Sequence, residues 1–365
     1  MNKGVKFRIY PNKEQEKKIM QTLGCCRLVY NMGLDIRNAA YQNGEKANYA
    51  YTCKMITLLK HTNDFSFLND ADSVALQQSL KDLDMAFQKY FTKKAEAPRL
   101  KSKHEYYQSY RTMNRRNKTT IRLVGKYLKL PKLGYVKVKQ SMEVGIINNV
   151  TVVRTKTGKY FAVLNVTFNP EQRQNGGKSI GIDVGIENFY TNSNGIKVDN
   201  PRYLEKHEQK LKREQRRLAR KQKGSNNRNK QRLRVARAYE KVTNQRNDFL
   251  QKESTKLVRE NQTICIEDLY ISKMLCKHRL SKQISSAAWG KFFLMLEYKA
   301  AWYGNTIVKV PRFFPSSQIC SKCGRTNTLI KNLSIREWEC PNCHASHDRD
   351  HNAAINILNK GLSLI

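Results

Sequence analysis

The segment GVKFRIY, residues 4 to 10, alternates apolar and polar side chains and predicts a strand, which Pro11-Asn12 ends. Asn12 with Gln15 three positions later has the form of a capping box, so a helix opens there and runs to about Asn31. Helical pattern continues to about residue 97. It is clearest where Leu76, Leu80, Leu83, Phe87 and Tyr90 step by four and three along one apolar stripe. Pro98 and the basic residues after it break that pattern. From about 119 to 169 the period changes to two, and TIRLVGKYLKLP, YVKVKQ, NNVTVVRT and KYFAVLNVTF read as strands. Thr157-Gly158-Lys159 supplies a hairpin turn, the N-terminal strand is expected to join this sheet, and a polar linker from Asn169 to Lys178 closes the region.

A second unit opens at Ser179. SIGIDVGIENFYTNSNGIKV holds an apolar strand, a sharp turn at Gly185 and a hairpin around Asn194-Gly195. Residues 202 to 260 read as a long basic helical pair broken at Gly224-Ser225-Asn226-Asn227, with Leu204, Leu211 and Leu218 at heptad spacing in its first half. TICIEDL is a second buried strand, Trp289 to Tyr303 an amphipathic helix, and NTIVKVP a third strand. A cysteine module and a final helix, Asn352 to Asn359, complete the chain. Strands alternating with helices after residue 179 predict an α/β architecture.

Charge changes the picture from fold to partner. The 365 residues carry 68 Lys and Arg against 30 Asp and Glu, a net charge of +38. Such a field repels itself unless a polyanion neutralises it, and nucleic acid does so with release of condensed counterions. A ribosomal-type protein is seldom this long, and a membrane-surface protein concentrates its charge on one amphipathic segment, whereas these cations run through most of the chain. The start, MNKGVKFRIYPNKEQ, has no apolar signal-peptide region, and no stretch approaches the roughly 18 apolar residues of a membrane span. A cytoplasmic, nucleoid-associated protein without a membrane partner is therefore expected.

Cys320 and Cys323 form one C-x-x-C knuckle and Cys340 and Cys343 another, with sixteen residues between them. Each knuckle pinches two thiolates onto one tetrahedral ion, so the spacing predicts one structural zinc in a ribbon, with Gly324 easing the first turn. His344 and His347 follow the second knuckle and are expected at the surface or facing nucleic acid, because four cysteines already close the shell. Cys25, Cys26, Cys53, Cys265 and Cys276 sit among apolar neighbours and are expected as small buried hydrophobes.

Asp183 ends the apolar run Ile180, Ile182, and Glu267 ends the run Ile264, Cys265, Ile266. Asp350 lies just ahead of NAAINIL. A lone carboxylate in such a place is costly unless a cation offsets it. Three acids at the ends of core elements are what a two-metal phosphodiesterase requires, with two Mg²⁺ held by acidic oxygens.

GIDVGIENF, CIEDL, WGKFFLMLEYKAAWYG, PSSQICSKCG, CPNCHASHDRDHNAAINIL and the opening VKFRIYPNKEQ with GCCRLVYN together resemble TnpB (OrfB) proteins of bacterial insertion sequences. They are also similar to the RuvC portions of type V CRISPR effectors, almost end to end and in order. The resemblance implies an RNase H-like RuvC domain with an inserted zinc ribbon, plus an N-terminal β wedge domain carrying a helical recognition insertion. It places the wedge at 1–10 and 104–175, the recognition module at 11–103, the nuclease domain at 178–315 and 347–365, and the ribbon at 316–346. Asp183, Glu267 and Asp350 would be the catalytic triad of an RNA-guided DNA endonuclease, with guide RNA and double-stranded DNA bearing a short flanking motif as partners. The ribbon would contact the target nucleic acid, and His344 stands where the family usually has glycine.

Lys212, Arg213, Arg216, Arg217, Arg220 and Lys221 crowd one helix, and like charges at that spacing call for a phosphate partner. Arg349 is expected beside a phosphate at Asp350, Asn352 and Asn356 as caps or packing residues. Tyr106, Tyr107, Tyr110, Phe313 and Phe314 stand among basic residues as candidates for base stacking. Two other readings remain open on sequence. A nuclease-dead RNA-guided repressor should have lost one acid, and a transposase performing strand transfer should carry a separate end-binding module.

Overall fold

A computed structural model describes residues 1–103, 108–114, 119–170, 176–276, 280–332 and 334–365. Tyr106 and Tyr107 lie outside the described residues. The chain divides into two compact units, Met1–Asn169 and Pro170–Ile365.

In the first unit, β1 (Asn2–Tyr10) buries Val5, Phe7 and Ile9 on one face, as its alternation requires. The capping box then forms: the Asn12 side chain accepts from the Gln15 amide at 2.8 Å and the Gln15 side chain from the Asn12 amide at 3.0 Å. It opens α1 (Lys13–Gln42), which runs well past Asn31. Gly33 does not break this helix but lets it cross a neighbour: a Cβ there would meet Leu80 Cδ2 at 2.7 Å. Helices α2 (Tyr49–Leu59) and α3 (Ser73–Phe91) follow. Then come β2 (Gln108–Met113), β3 (Arg122–Val124), β4 (Tyr127–Leu130), β5 (Gly134–Lys139), β6 (Ile147–Arg154) and β7 (Tyr160–Thr167). With β1 they make a seven-stranded sheet ordered β2-β6-β7-β1-β5-β4-β3. Ile19, Leu76 and Leu80 of the helices share one core with Phe7, Val136 and Leu164 of the strands, so the helical block is packed on the sheet.

The second unit is built on β8 (Ser179–Val184), β9 (Asn188–Asn192), β10 (Lys197–Asp199), β11 (Thr263–Glu267) and β12 (Thr306–Val310). The order is β10-β9-β8-β11-β12, an antiparallel meander continued by parallel strands. The basic helices are α4 (Tyr203–Ala219) and α5 (Asn226–Glu260); α6 (Ile271–Cys276), α7 (Ser281–Ala287) and α8 (Trp289–Tyr303) come before β12. Strands β13 (Glu337–Glu339) and β14 (Ser346–Asp348) form the cysteine module, and α9 (Arg349–Leu362) ends the chain.

One face of the sheet, Ile180, Ile182, Ile264 and Ile266, packs on Leu250 and Leu257 of α5 and on Phe292 and Leu296 of α8. Each such side chain contributes about 1.5–3 kcal/mol on burial. The other face takes α9, where Ile357 meets Cys265, Val308 and Val310. Cys25, Cys26 and Cys265 are buried as expected and Cys53 is half-buried, but Cys276, on the short helix α6, is exposed. Among the described residues no helix is long and apolar enough to cross a membrane.

Candidate active site and metal centre

The register of the parallel strands pairs Ile182 with Ile266, so the next residues, Asp183 and Glu267, lie near the C-terminal ends of neighbouring strands, which run about 4.8 Å apart. Both point to the face that carries α9. Gly181 sits against the Ala354 carbonyl. Asp350, one helical turn before Ala354, is thereby brought alongside Asp183, two residues beyond Gly181. The sequence reading put Asp350 ahead of the helix. It lies within the first turn instead, because Asp348 is the N-cap and accepts from the His351 amide at 2.9 Å.

The three acids act on one another. Burial raises the Asp183 carboxyl well above its usual range, and the charges of Glu267 and Asp350 push it further, against the opposing pull of Arg349 and Arg336. Burial also raises Glu267, offset in part by the Ser316 hydroxyl, which donates to Glu267 Oε1 at 2.9 Å. Hard oxygen donors that repel one another suit a hard divalent cation. Among the described residues only the four cysteines bring three or more possible metal-ligand atoms within 4.8 Å of one another.

Sequence reasoning missed two residues here. Arg336 reaches Asp350 at 3.5 Å and Glu187 at 3.3 Å while half its side chain stays exposed. It belongs to the cysteine module, and no local pattern marks it. Ser316 orients Glu267 from the loop after β12. Arg349, by contrast, was expected at nucleic acid and is buried, with its guanidinium donating to the Asn332 carbonyl at 2.9 Å. It fastens the module to α9 and reaches the acids only through its charge. Asn352 and Asn356, four apart on α9, do the same. Asn352 accepts from the Ser321 amide at 2.9 Å and donates to the Ile319 carbonyl at 2.7 Å. Asn356 donates to the Ser316 and Ile319 carbonyls at 2.8 and 2.6 Å.

The cysteine module repeats one turn twice. Gly324 donates to the Cys320 carbonyl at 2.9 Å and His344 to the Cys340 carbonyl at 3.0 Å, while Cys320 and Cys340 donate to the Arg325 and Ala345 carbonyls, both at 2.9 Å. Cys320 and Cys343 Sγ are 3.6 Å apart, as are those of Cys323 and Cys340. A tetrahedral zinc tetrathiolate with bonds of about 2.3 Å has sulfur separations of about 3.8 Å, so the residues fit that ion. The thiols are prepared by backbone amides: that of Arg325 lowers Cys323 to about 6, and that of Cys343 lowers Cys340. Cys343 is favoured by the Ala345 amide yet pushed up to about 12 by burial and its neighbouring sulfurs, as expected of thiolates that need a cation to ionise together.

His347 is not at the surface. Its ring lies tilted by 39° against Trp338 at 4.7 Å, and its Nε2 lies 3.0 Å from Cys320 Sγ. His344 is exposed, pairs with Glu339 at 2.9 Å and holds φ +54° where Gly324 holds +75° in the equivalent turn. A side chain costs about 1 kcal/mol in that region, and an exposed ion pair returns less. His344→Gly is therefore expected to tighten zinc, so that a chelator strips the variant several-fold more slowly; equal loss from both proteins would show that the turn carries no strain.

Lys212, Arg213, Arg216, Arg217, Arg220 and Lys221 are all exposed along α4 and its end. Lys212 pairs with Glu208 at 2.8 Å and Arg217 with Glu214 at 3.4 Å. Leu211 is buried and Leu204 and Leu218 half-buried against α5. Between the two helices Lys210, Arg234, Arg237 and Lys241 line a cavity of roughly 380 Å³ together with His207 and Glu214. Of the aromatic candidates Tyr110 is core, Phe314 is packed into the α9 face, and Phe313 is exposed.

A meander joined to parallel strands, acids at the strand ends and a C-terminal helix on that face define an RNase H-like, RuvC-type nuclease fold carrying a cysteine ribbon. The fold is shared with a Cas12f1 chain solved by cryo-EM in a Cas12f1–sgRNA–target DNA complex: TM-score 0.64 at 13% identity, over 98% of this chain and 99% of that one. Family models match at residues 151–277 (OrfB_IS605, "Probable transposase"), 289–357 ("Cas12f1-like, TNB domain") and 1–46 ("Helix-turn-helix domain"). Here 1–46 holds a strand and one long helix. A Streptomyces pristinaespiralis protein named "Putative RNA-guided DNA endonuclease" is 39% identical over all of this chain and 90% of its own length. The similarly named InsQ of Escherichia coli K12 is 29% identical over 99% and 92%. The chain belongs to the TnpB (OrfB) family.

Proposed function

We propose that this protein is a guide RNA-dependent endonuclease that cuts DNA by metal-assisted hydrolysis, leaving 5′-phosphate and 3′-hydroxyl ends. The observation that carries the reading is the convergence of Asp183, Glu267 and Asp350 in a chain of net charge +38. Asp183, Glu267 and Asp350 would hold two Mg²⁺ ions, which when bound activate the attacking water and offset charge on the leaving oxygen. Ser316 holds Glu267 in one rotamer for that task. Arg336, shared between Asp350 and Glu187, is free to swing its exposed guanidinium to a phosphate once Asp350 is otherwise engaged. Zinc held by Cys320, Cys323, Cys340 and Cys343 would be structural, fixing the module that carries Arg336, which Asn352 and Asn356 tie to α9.

The exposed cations of α4 and those lining the cavity between α4 and α5 are phosphate contacts for the guide–target duplex. Residues 1–10 and 104–175 make a wedge domain and residues 11–103 a recognition module, which grip guide RNA and a short flanking DNA motif. The names borne by relatives from Streptomyces pristinaespiralis and Escherichia coli agree with RNA guidance.

The test is cleavage by the full chain purified with its own RNA. Sequencing that RNA is expected to yield one structured species ending in a variable segment. DNA matching the segment should be cut in Mg²⁺ and left intact in EDTA. Bulk RNA, or cutting that survives EDTA, would overturn the proposal; binding without cutting would favour a repressor, and joined DNA ends a strand-transfer enzyme.

A further inference from the structure

The loop after β12 combines tight anchorage with an unusual exposure. Phe313 is 92% exposed, more than any other large hydrophobic side chain among the described residues. Its neighbours are all fixed. Phe314 is packed against the α9 face, and its amide donates to the Pro311 carbonyl at 3.0 Å. The Ser316 amide donates to the Phe314 carbonyl at 2.8 Å and its hydroxyl to Glu267. On the other side, Arg312 pairs with the Asp268 carboxylate, donates to the Asp268 carbonyl at 3.2 Å and lies 5.0 Å over the Tyr270 ring. Lys273 Nζ lies 4.8 Å over the same ring.

The exposed ring is therefore flanked by residues bound to Glu267 and to Asp268, its immediate successor. Three residues from Ser316, its Cα is within about 10 Å of it. A rigid loop that holds an apolar ring in water beside a phosphodiesterase site gains nothing in the free protein.

We propose that Phe313 is a base-stacking residue: its ring takes the face of a nucleobase of single-stranded DNA and so seats the adjoining phosphate at Asp183, Glu267 and Asp350. Arg312 and Lys273, held around Tyr270, supply cations for the backbone on the same lip. Every base has a π face, so stacking tolerates any sequence, as cutting at a position set by a guide requires. Bases in a duplex keep their faces stacked on one another, which makes the contact selective for an unpaired strand. The inference rests on the nuclease reading above but is measured separately from it.

The probe is a single-stranded DNA oligonucleotide carrying 2-aminopurine at successive positions, added to the full chain with its copurified RNA in Ca²⁺. One position should be quenched by wild-type protein and by Asp183→Asn, unquenched by Phe313→Ala and quenched again by Phe313→Trp. In Mg²⁺, Phe313→Ala should lose about ten-fold in kcat/KM on that strand, mostly through KM, with unchanged thermal unfolding. Equal quenching and equal cleavage by Phe313→Ala would overturn the stacking role. A wild-type protein that quenches but never cuts would sink the nuclease reading while leaving Phe313 as a base contact. Loss of a second protein from the complex in Phe313→Ala, with quenching intact, would assign the ring to a protein partner and overturn the proposal.

Discussion

Asp183→Asn is expected to abolish cleavage, by about 10³-fold or more, while guide and target binding stay within a factor of two or three. Asparagine keeps the shape of the side chain and removes one anionic oxygen from the strand end where burial and two other acids already oppose a charge. The same substitution should make the Mg²⁺-free protein more stable, which a merely structural Asp183 would not do. The sign follows from linkage: a carboxyl whose folded pKa is raised binds more protons folded than unfolded. Stability then falls as pH rises from the ordinary carboxylate value, about 4, through the folded value. Thermal unfolding of the zinc-loaded protein in Mg²⁺-free buffer without chelator should show wild-type protein losing stability as pH rises above about 4 and Asp183→Asn losing less. Mg²⁺ should restore wild type at pH 8 and do little for the variant. A variant that cuts at the wild-type rate would remove Asp183 from the site.

Part of this site is legible because its physics is local. An apolar run that ends in an acid, as at Ile180–Asp183 and Ile264–Glu267, says that a core strand delivers a carboxylate to a sheet edge. Paired C-x-x-C knuckles state their ligand set outright. The capping box at Asn12 and the hairpins at Gly158 and Gly195 likewise rest on neighbours within four residues.

What was missed depends on distant contacts. Arg336 follows an unremarkable loop, and only the fold brings it to Asp350. Arg349 reads as a surface cation beside an acid, yet it is buried on the Asn332 carbonyl. Lys299 of α8 is buried and donates to the Gln251 carbonyl, Ser254 and Thr255 at 2.7–2.9 Å, and its loss of water lowers it to about 8. The i, i+4 pair Asn352 and Asn356 was the one available hint: two amides on the buried face of an apolar helix need backbone partners, and the turn leading into the ribbon, at Ser316 and Ile319, supplies them.

Gly181 joins these levels, and its substitution by alanine should be the most damaging change that leaves every charged group in place. A Cβ at this position would lie 2.1 Å from the Ala354 carbonyl oxygen and 2.7 Å from the Leu358 amide nitrogen, both backbone atoms that no rotamer can move. Ordinary contact needs about 3.4 Å, so α9 would have to withdraw by roughly 1 Å or more. The helix cannot simply pivot about its far end, because Gly361 is equally close to Cys265, where a Cβ would meet Sγ at 2.3 Å. Withdrawal carries Asp350 away from Asp183 and drags the ribbon, with Arg336, through Asn352 and Asn356. Overpacking of this kind costs about 1–3 kcal/mol, and misplacing a reacting group by about 1 Å costs on the order of 10²-fold in rate. Gly181→Ala should therefore unfold at lower temperature and cleave about a hundred-fold more slowly in a single turnover at saturating Mg²⁺, with zinc still bound. Gly4→Ala, where a Cβ meets nothing within 4 Å, is the matched control and should do neither. Full stability together with an undiminished rate in Gly181→Ala would mean that α9 does not seat on this strand, and that Asp350 reaches the other acids by another route.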